Sequence, residues 1–225
     1  MRLKDERPDL LEFHGAKLIR SRLISPAVLR EIEAGRYEGD EILCALINIG
    51  PEDVVLELGA GIGALSSVVL SRKQAAGWVC VEANPDLLPL IRKNHKLNGL
   101  NNVEVVNAAL SNDRTQTSHN FYVTEDFWDG SLLRPAKFVD VKQVPGLHFG
   151  DMLEKYRPTF IICDIEGGEY DLFSGEINLS PTRKVCLEAH PAPQGKLDSL
   201  DAFFRERGFA LNPPPLRLGV NYWQR

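Results

Sequence analysis

The run Val54-Val55-Leu56-Glu57-Leu58-Gly59-Ala60-Gly61-Ile62-Gly63-Ala64 constrains this chain more than any other stretch. Its apolar residues, broken only by Glu57, lead into three glycines at alternate positions. Such a run prescribes a buried strand entering a glycine turn that opens a helix. Glycine reaches positive φ and carries no Cβ. Gly59, Gly61 and Gly63 therefore describe a backbone surface that a ligand can approach closely, with Ala60 between the first two as a further cofactor-binding candidate.

Two ligand classes suit that turn. Through Ala64 the residues also read as G-x-G-x-x-A, the dinucleotide pattern in which a pyrophosphate rests on a helix N-terminus. Glu57 favours the other class: a carboxylate at the strand end repels a pyrophosphate and attracts a cationic amine. S-adenosylmethionine carries an amino-acid head and a sulfonium but no phosphate. The acid-x-Gly-x-Gly-x-Gly pattern is the one Rossmann-like methyltransferases use for it. A second apolar run, Trp78 to Val81, ends in Glu82, nineteen residues after Gly63, where a carboxylate accepts both ribose hydroxyls of either nucleotide. Beyond it, Asn84 caps a helix with Pro85 at its first position and Gly99 at its end, a helix that Pro89 fits poorly.

The 225 residues suffice for one sizeable core, and no linker, repeat or low-complexity stretch divides them. A formal charge of −5 with a pI near 5.6 argues against broad electrostatic binding of nucleic acid. Lys17, Arg20 and Arg22 read as a solvated helix face. The start Met1 to Pro8 lacks the apolar segment of a signal peptide, and no run has the length of a membrane span. A cytoplasmic protein without membrane contact is expected. Cys44, Cys80, Cys163 and Cys186 have no metal spacing and read as reduced packing residues.

Along the chain, strands alternate with helices. Helices are expected through Pro26–Ile49, then a strand at Val54, a helix from Ala64, a strand at Val79, a helix after Pro85 and a strand over Val103–Asn107. A hairpin inserted at about 119–145 turns at Asp129-Gly130. A helix near Met152, strands at Phe160–Cys163 and Val185–Glu188, a helix over Leu197–Arg207 and a last strand at Leu218–Trp223 complete the series. The fold class expected is α/β: a doubly wound, mostly parallel sheet with a C-terminal antiparallel strand, N-terminal helices and the inserted hairpin. Residues 1–50 form a helical segment on the substrate side, and residues 51–225 the main domain. In such sheets ligands bind beyond the carboxyl ends of the strands, which selects Glu57–Gly63, Glu82–Asn84, Asn107–Ala109, Asp164–Glu169 and Glu188–His190.

The segment Asp164-Ile165-Glu166-Gly167-Gly168-Glu169 places three carboxylates after a buried strand. Their mutual repulsion calls for a cation, a shared proton or good solvation. Glu169 also suits a helix N-terminus. This segment resembles the D-[IV]-E-G-x-E signature of the FkbM family of S-adenosylmethionine-dependent methyltransferases. The glycine turn is similar to that family's cofactor loop. Further similarities follow in order: Glu82-Ala83-Asn84-Pro85, Asn94 with Asn98-Gly99, Asn107 to Ser111, and Leu187 to Pro191. Together they cover about Glu52 to Pro191.

The resemblance implies a Rossmann-like methyltransferase that acts on a hydroxyl of a sugar, glycan, polyketide or other small metabolite. It implies that Glu57, Gly59, Gly61 and Gly63 hold the methionine moiety, Glu82 the ribose, and Asn107 with Ala108 the adenine edge, with Ala83 and Asn84 also in the cofactor site. Asp164 would face the reacting centre. Asp164, Glu166 and His190 are the candidate proton acceptors, His190 being the one that titrates near neutrality. Asp164 and Glu166 offer the hard oxygens magnesium or calcium prefer, but two carboxylates in a turn are no metal signature, and no metal ligand is assigned. Tyr37 and Glu38 either fold over the cofactor or pack as a helix-terminus turn. Trp128 either lines the acceptor site or makes a subunit contact, so a homodimer stays open. Two other functions remain: a nicotinamide-dependent reductase, disfavoured by Glu57, by the Asp164 cluster and by the absence of a Tyr-x-x-x-Lys pair, and a non-catalytic cofactor-binding module.

Overall fold

The computed structural model describes residues 9–190, 196–212 and 220–225. Residues 1–8, Pro191 and the start of the expected last strand lie outside the described residues. Strands β1 (Leu10–Phe13) and β2 (Ala16–Ile19) open the chain, followed by helices α1 (Pro26–Glu33) and α2 (Gly39–Asn48). Then come β3 (Val54–Leu58), α3 (Ala64–Leu70), β4 (Gly77–Glu82), α4 (Leu88–Leu97), β5 (Val103–Asn107), β6 (Ala109–Ser111), β7 (Ser118–Val123) and β8 (Asp140–His148). The chain ends with α5 (Phe149–Tyr156), β9 (Phe160–Cys163), α6 (Glu169–Leu172), β10 (Lys184–Glu188), α7 (Lys196–Glu206), β11 (Ala210–Asn212) and β12 (Val220–Gln224).

The main sheet has the order β11-β12-β10-β9-β3-β4-β5. Its five strands from β10 to β5 run parallel, and β12 returns antiparallel to β10. Strand alternation divides the interior into two cores. Val55, Cys80, Phe160, Ile162 and Cys186 face α2, α3 and α4 on one side, with Ile42, Val68 and Ile91 packed on them. Leu56, Leu58, Val79, Ile161 and Leu187 face α5, α6 and α7 on the other, with Met152, Leu172 and Phe204. Both faces are covered, the expected doubly wound arrangement. The strand order reverses between β3 and its neighbours β4 and β9, which opens a crevice at the carboxyl ends. All four cysteines are free and buried.

The N-terminus differs from the helical segment expected. Residues 10–19 form a hairpin, not a helix, because Leu11, Phe13, Ala16 and Leu18 are buried at a spacing of two on either side of His14-Gly15, both at positive φ (46° and 82°). Lys17 is therefore on a strand, and Arg20 follows it, paired with Asp9 and Glu33. Asn94 of α4 and Asn98 just beyond its end pin this hairpin. Their side-chain oxygens accept from the Ile19 and Lys17 amides at 2.9 Å, while Asn94 Nδ2 donates to the Ile62 carbonyl of the glycine turn.

Two further expectations are corrected. Helix α4 begins at Leu88, so Pro89 falls in the first turn, where its missing N–H has no intrahelical partner to lose. Asn84 and Pro85 belong to the preceding turn, and Asn84 Oδ1 accepts from the Asp86 amide. The inserted hairpin exists as β7 paired antiparallel with β8, and β6 joins β8 to make a three-stranded sheet. Its strands are joined by residues 124–139, not by a tight Asp129-Gly130 turn. A short 3-10 helix, Phe127–Asp129, fills that connection because Phe127 is buried against the first core.

Candidate active site

The glycine turn is held from below by β4. The Gly59 and Ala60 amides donate to the Val81 carbonyl at 2.9 and 3.2 Å, and the Gly61 amide donates to Glu82 Oε2 at 2.8 Å. Glu82 Oε1 accepts from the Asn84 amide at 2.7 Å, so the carboxylate is fixed by two backbone donors. Burial pushes its pKa up to about 7. A Cβ at Gly61 would stand 2.8 Å from the Tyr37 hydroxyl, and one at Gly63 would stand 3.0 Å from both His95 Nε2 and Ile91 Cγ2. The N-terminus of α3 is already engaged: Glu38 Oε2 accepts from the Leu65 amide at 3.1 Å. A carboxylate therefore occupies the seat a pyrophosphate would need.

Glu57 is where the structure departs most from its expected role. The period of two along β3 turns it to the same side as Val55, beneath the turn, away from the cavity above Leu58 and Gly59. It is buried, and Oε2 accepts from Trp78 Nε1 at 2.6 Å and from Cys80 Sγ at 3.0 Å. Burial raises its pKa to about 7.

A cavity of about 710 Å³ lies over the carboxyl ends of β3, β4, β9 and β10. Among the residues expected to bind cofactor or substrate, Tyr37, Gly59, Gly61, Glu82, Ala83, Ala108, Asp164, Glu166 and His190 line it. Ala60, Gly63, Asn84 and Asn107 stand behind the wall. Asn107 Nδ2 donates to the Glu82 and Ala83 carbonyls at 2.8 and 2.9 Å, so it shapes the corner from outside. The cavity also brings in Glu41, Asp129 and Glu188. Glu41 and Asp129 were not read as site residues, since one sits in the first turn of an amphipathic helix and the other was read only as a turn residue.

The roof comes from two distant segments. Tyr37 stacks on Trp128 (centroids 6.1 Å apart, 19° between planes) and meets Phe127 edge-on. Ser25 Oγ donates to Asp126, tying the N-terminal segment to the insertion. Tyr37 is thus a packed residue, 6% exposed, whose hydroxyl lies over Gly61.

The floor is the acidic turn. The Asp164 amide donates to the Leu58 carbonyl at 2.9 Å. Desolvation first, then Glu188 and Glu38, hold the Asp164 pKa well above the usual carboxylate range. Glu169 is fully buried, and its Oε1 accepts from the His190 amide at 2.7 Å and lies 3.2 Å from His190 Nδ1. His190 Nε2 lies 3.1 Å from Glu166 Oε2 and 3.9 Å from Asp164 Oδ1. Glu166, then Glu169, raise the His190 pKa to about 11. The expectation was that His190 accepts a proton near neutrality; its place between Glu166 and Glu169 instead favours the protonated ring as long as no cation is bound.

The residues present fit an adenosyl donor. Gly59 and Gly61 leave a cradle a Cβ would fill, and Glu82 presents a fixed carboxylate at the end of β4, where it would meet ribose hydroxyls. Asp164 Oδ1 is buried without a hydrogen-bond partner, and the helix end that would favour a pyrophosphate is occupied.

Fold and site together define a Rossmann-like methyltransferase. The model of the methyltransferase FkbM domain matches residues 57–211, well over half of the chain. The chain belongs to the FkbM methyltransferase family, and its cofactor is S-adenosylmethionine. No curated protein matches the sequence. Among solved structures, a putative transferase of Pyrococcus horikoshii is similar with 13% identity and a TM-score of 0.52, over 96% of this chain and 69% of that one. A protein of the NADB-Rossmann superfamily from Streptococcus agalactiae is similar with 13% identity and a TM-score of 0.50, over 82% and 67%. Likeness at this identity speaks for the fold alone. Among the described residues no helix is long and apolar enough to cross a membrane.

Proposed function

We propose that this methyltransferase acts on a hydroxyl of a small metabolite, such as a sugar, glycan or polyketide. The observation that carries the reading is the position of Asp164, desolvated at the end of β9 and exposed to the same cavity as Gly59, Gly61 and Glu82. When bound, S-adenosylmethionine supplies a methyl group on a sulfonium for in-line displacement. Glu82 accepts from the ribose hydroxyls, and Gly59 and Gly61 let the methionine portion approach the backbone. Asp164 takes the proton of the acceptor hydroxyl, its raised pKa making it a stronger base than an ordinary carboxylate. The roof of Tyr37 and Trp128 excludes water and fixes orientation, from which much of the acceleration derives.

Wall chemistry supports a small acceptor over a nucleic acid. Glu38, Glu41, Asp164, Glu166 and Glu188 line one cavity, and a phosphodiester chain would be repelled there. Four buried free thiols accord with a cytoplasmic setting.

Calorimetry with S-adenosylhomocysteine and with NADH tests the cofactor side: heat is expected with the first and none with the second. Donor turnover of Asp164→Asn against a panel of hydroxylated acceptors tests the chemistry. A loss of about 10²–10⁴-fold is expected. Unchanged turnover would remove Asp164 from the mechanism.

A further inference from the structure

We propose that Asp164, Glu166 and His190 form a binding site for a divalent cation of the Mn²⁺ type, open on the cavity side to two oxygens of the acceptor. One donor atom from each residue lies within 4.8 Å of the others, and they come from the ends of the adjacent strands β9 and β10. The sequence named these three residues together only as candidate proton acceptors; that their donor atoms converge, although His190 is more than twenty residues from the acidic turn, is visible only in the structure.

A second observation concerns how His190 is held. Fully buried Glu169 engages Nδ1 at 3.2 Å and the backbone amide of the same residue at 2.7 Å. That grip directs Nε2 toward Glu166 Oε2 and Asp164 Oδ1. A carboxylate behind a histidine, fixing one ring nitrogen so that the other faces a ligand, is the arrangement found behind metal-binding histidines. Ahead of Nε2, Asp164 Oδ1 is buried and accepts no hydrogen bond, an oxygen whose desolvation a cation would offset. Glu38, Glu41 and Glu188 on the same wall add to the negative potential.

The donor set decides the class of ion. Two carboxylates and one imidazole suit Mn²⁺ better than Ca²⁺ or Mg²⁺, which favour oxygen alone, and no thiolate is present to select a softer metal. Three protein donors leave positions open in an octahedral shell. Those positions suit an acceptor with two adjacent oxygens, such as a vicinal diol or an α-hydroxy ketone. Binding of the cation would displace the Nε2 proton of His190 to solvent. The cation would orient the pair and lower the pKa of the hydroxyl to be methylated, whose proton passes to the uncoordinated oxygen of Asp164. The statement about the acceptor rests on the O-methylation reading; the statement about the cation does not.

The test uses the full chain, stripped with chelator and titrated with MnCl₂, following free Mn²⁺ by electron paramagnetic resonance. One site per chain is expected, weakened at least about tenfold in Asp164→Asn and Glu166→Gln, and about 10–100-fold in Glu169→Gln. Circular dichroism confirms that each variant is folded, and Glu166→Gln, with its partly exposed side chain, serves if Asp164→Asn does not fold. No Mn²⁺ site in the wild-type chain, or a site equally tight in Glu166→Gln and Glu169→Gln, overturns the proposal. Calorimetry with S-adenosylhomocysteine on the same samples separates the two readings. Donor-product binding without Mn²⁺ binding removes only the cation, and Mn²⁺ binding without donor-product binding removes the methylation reading while the cation site stands.

Discussion

A Cβ placed on Gly59 would lie 1.7 Å from the carbonyl oxygen of Asp164. The two most informative motifs of the chain, 105 residues apart in sequence, thus meet backbone to backbone where β3 and β9 end side by side. Gly59 has φ of +82°, so both its conformation and its lack of a side chain are required.

Replacing Gly59 by alanine combines left-handed strain with overpacking and is expected to cost about 2–5 kcal/mol. For a chain of this size that corresponds to a fall in Tm of about 5–15 °C, read by thermal unfolding. S-adenosylhomocysteine binding should be lost at the same time, because Asp164 must move. A variant with unaltered Tm would show that the two loops separate freely.

Stability of the ligand-free protein should decline as pH rises from about 5 to 9. Glu57 and Glu82 have folded pKa values near 7, above the ordinary carboxylate value, so the fold resists their ionisation while the unfolded chain ionises freely. That penalty grows between about pH 4.5 and 7. His190, raised to about 11, stabilises the fold fully below its ordinary value of 6.5, and that contribution fades as pH climbs toward 11. Differential scanning at pH 5.5, 7 and 9 should give successively lower Tm values; a rising series would contradict the assigned burial of the two glutamates.

Two histidines should titrate on opposite sides of neutrality. His95, desolvated beneath the turn and 2.9 Å from Ser66 Oγ, has its pKa lowered to about 4, whereas His190 is raised to about 11. Imidazole ¹⁵N spectra of the metal-free protein at pH 7.5 should show His190 with both nitrogens protonated and His95 neutral. A neutral His190 under those conditions would mean that Glu166 and Glu169 do not engage it.

Trp128→Ala removes the ring stacked on Tyr37 and leaves the glycine turn untouched. A stacked pair contributes about 0.5–1.5 kcal/mol beyond its area, so the Kd for S-adenosylhomocysteine should rise about two- to tenfold by calorimetry. An unchanged Kd would place the roof over the acceptor alone, with KM for acceptor as the quantity that responds.

Some of the geometry was readable because it depends on the chain within a few residues. Gly59 and Gly61 lie at positive φ, and Glu82 ends its strand beside them, as the run of apolar residues, acid and glycine foretold. Strand period was also legible in Leu11, Phe13, Ala16 and Leu18, yet the hairpin they form went unread because the basic residues near it suggested a helix face. Glu57 failed for a different reason. Its place before the glycines is local, but whether a strand residue faces a ligand or an opposing core depends on which side the neighbouring strand presents, and Trp78 and Cys80 of β4 claim it.

By itself the sequence determined a parallel α/β sheet, a glycine turn with an acid at each adjoining strand end, and an acidic turn after a later strand, since each is written in consecutive residues and follows from strand and turn chemistry. Only the tertiary structure decided that Asp164 touches Gly59, that Glu169 grips His190 across two strand ends, and that Tyr37 and Trp128 close over the site. Those contacts join residues far apart in the chain, and what fixes them is the order of strands in the sheet, on which local propensity has no hold.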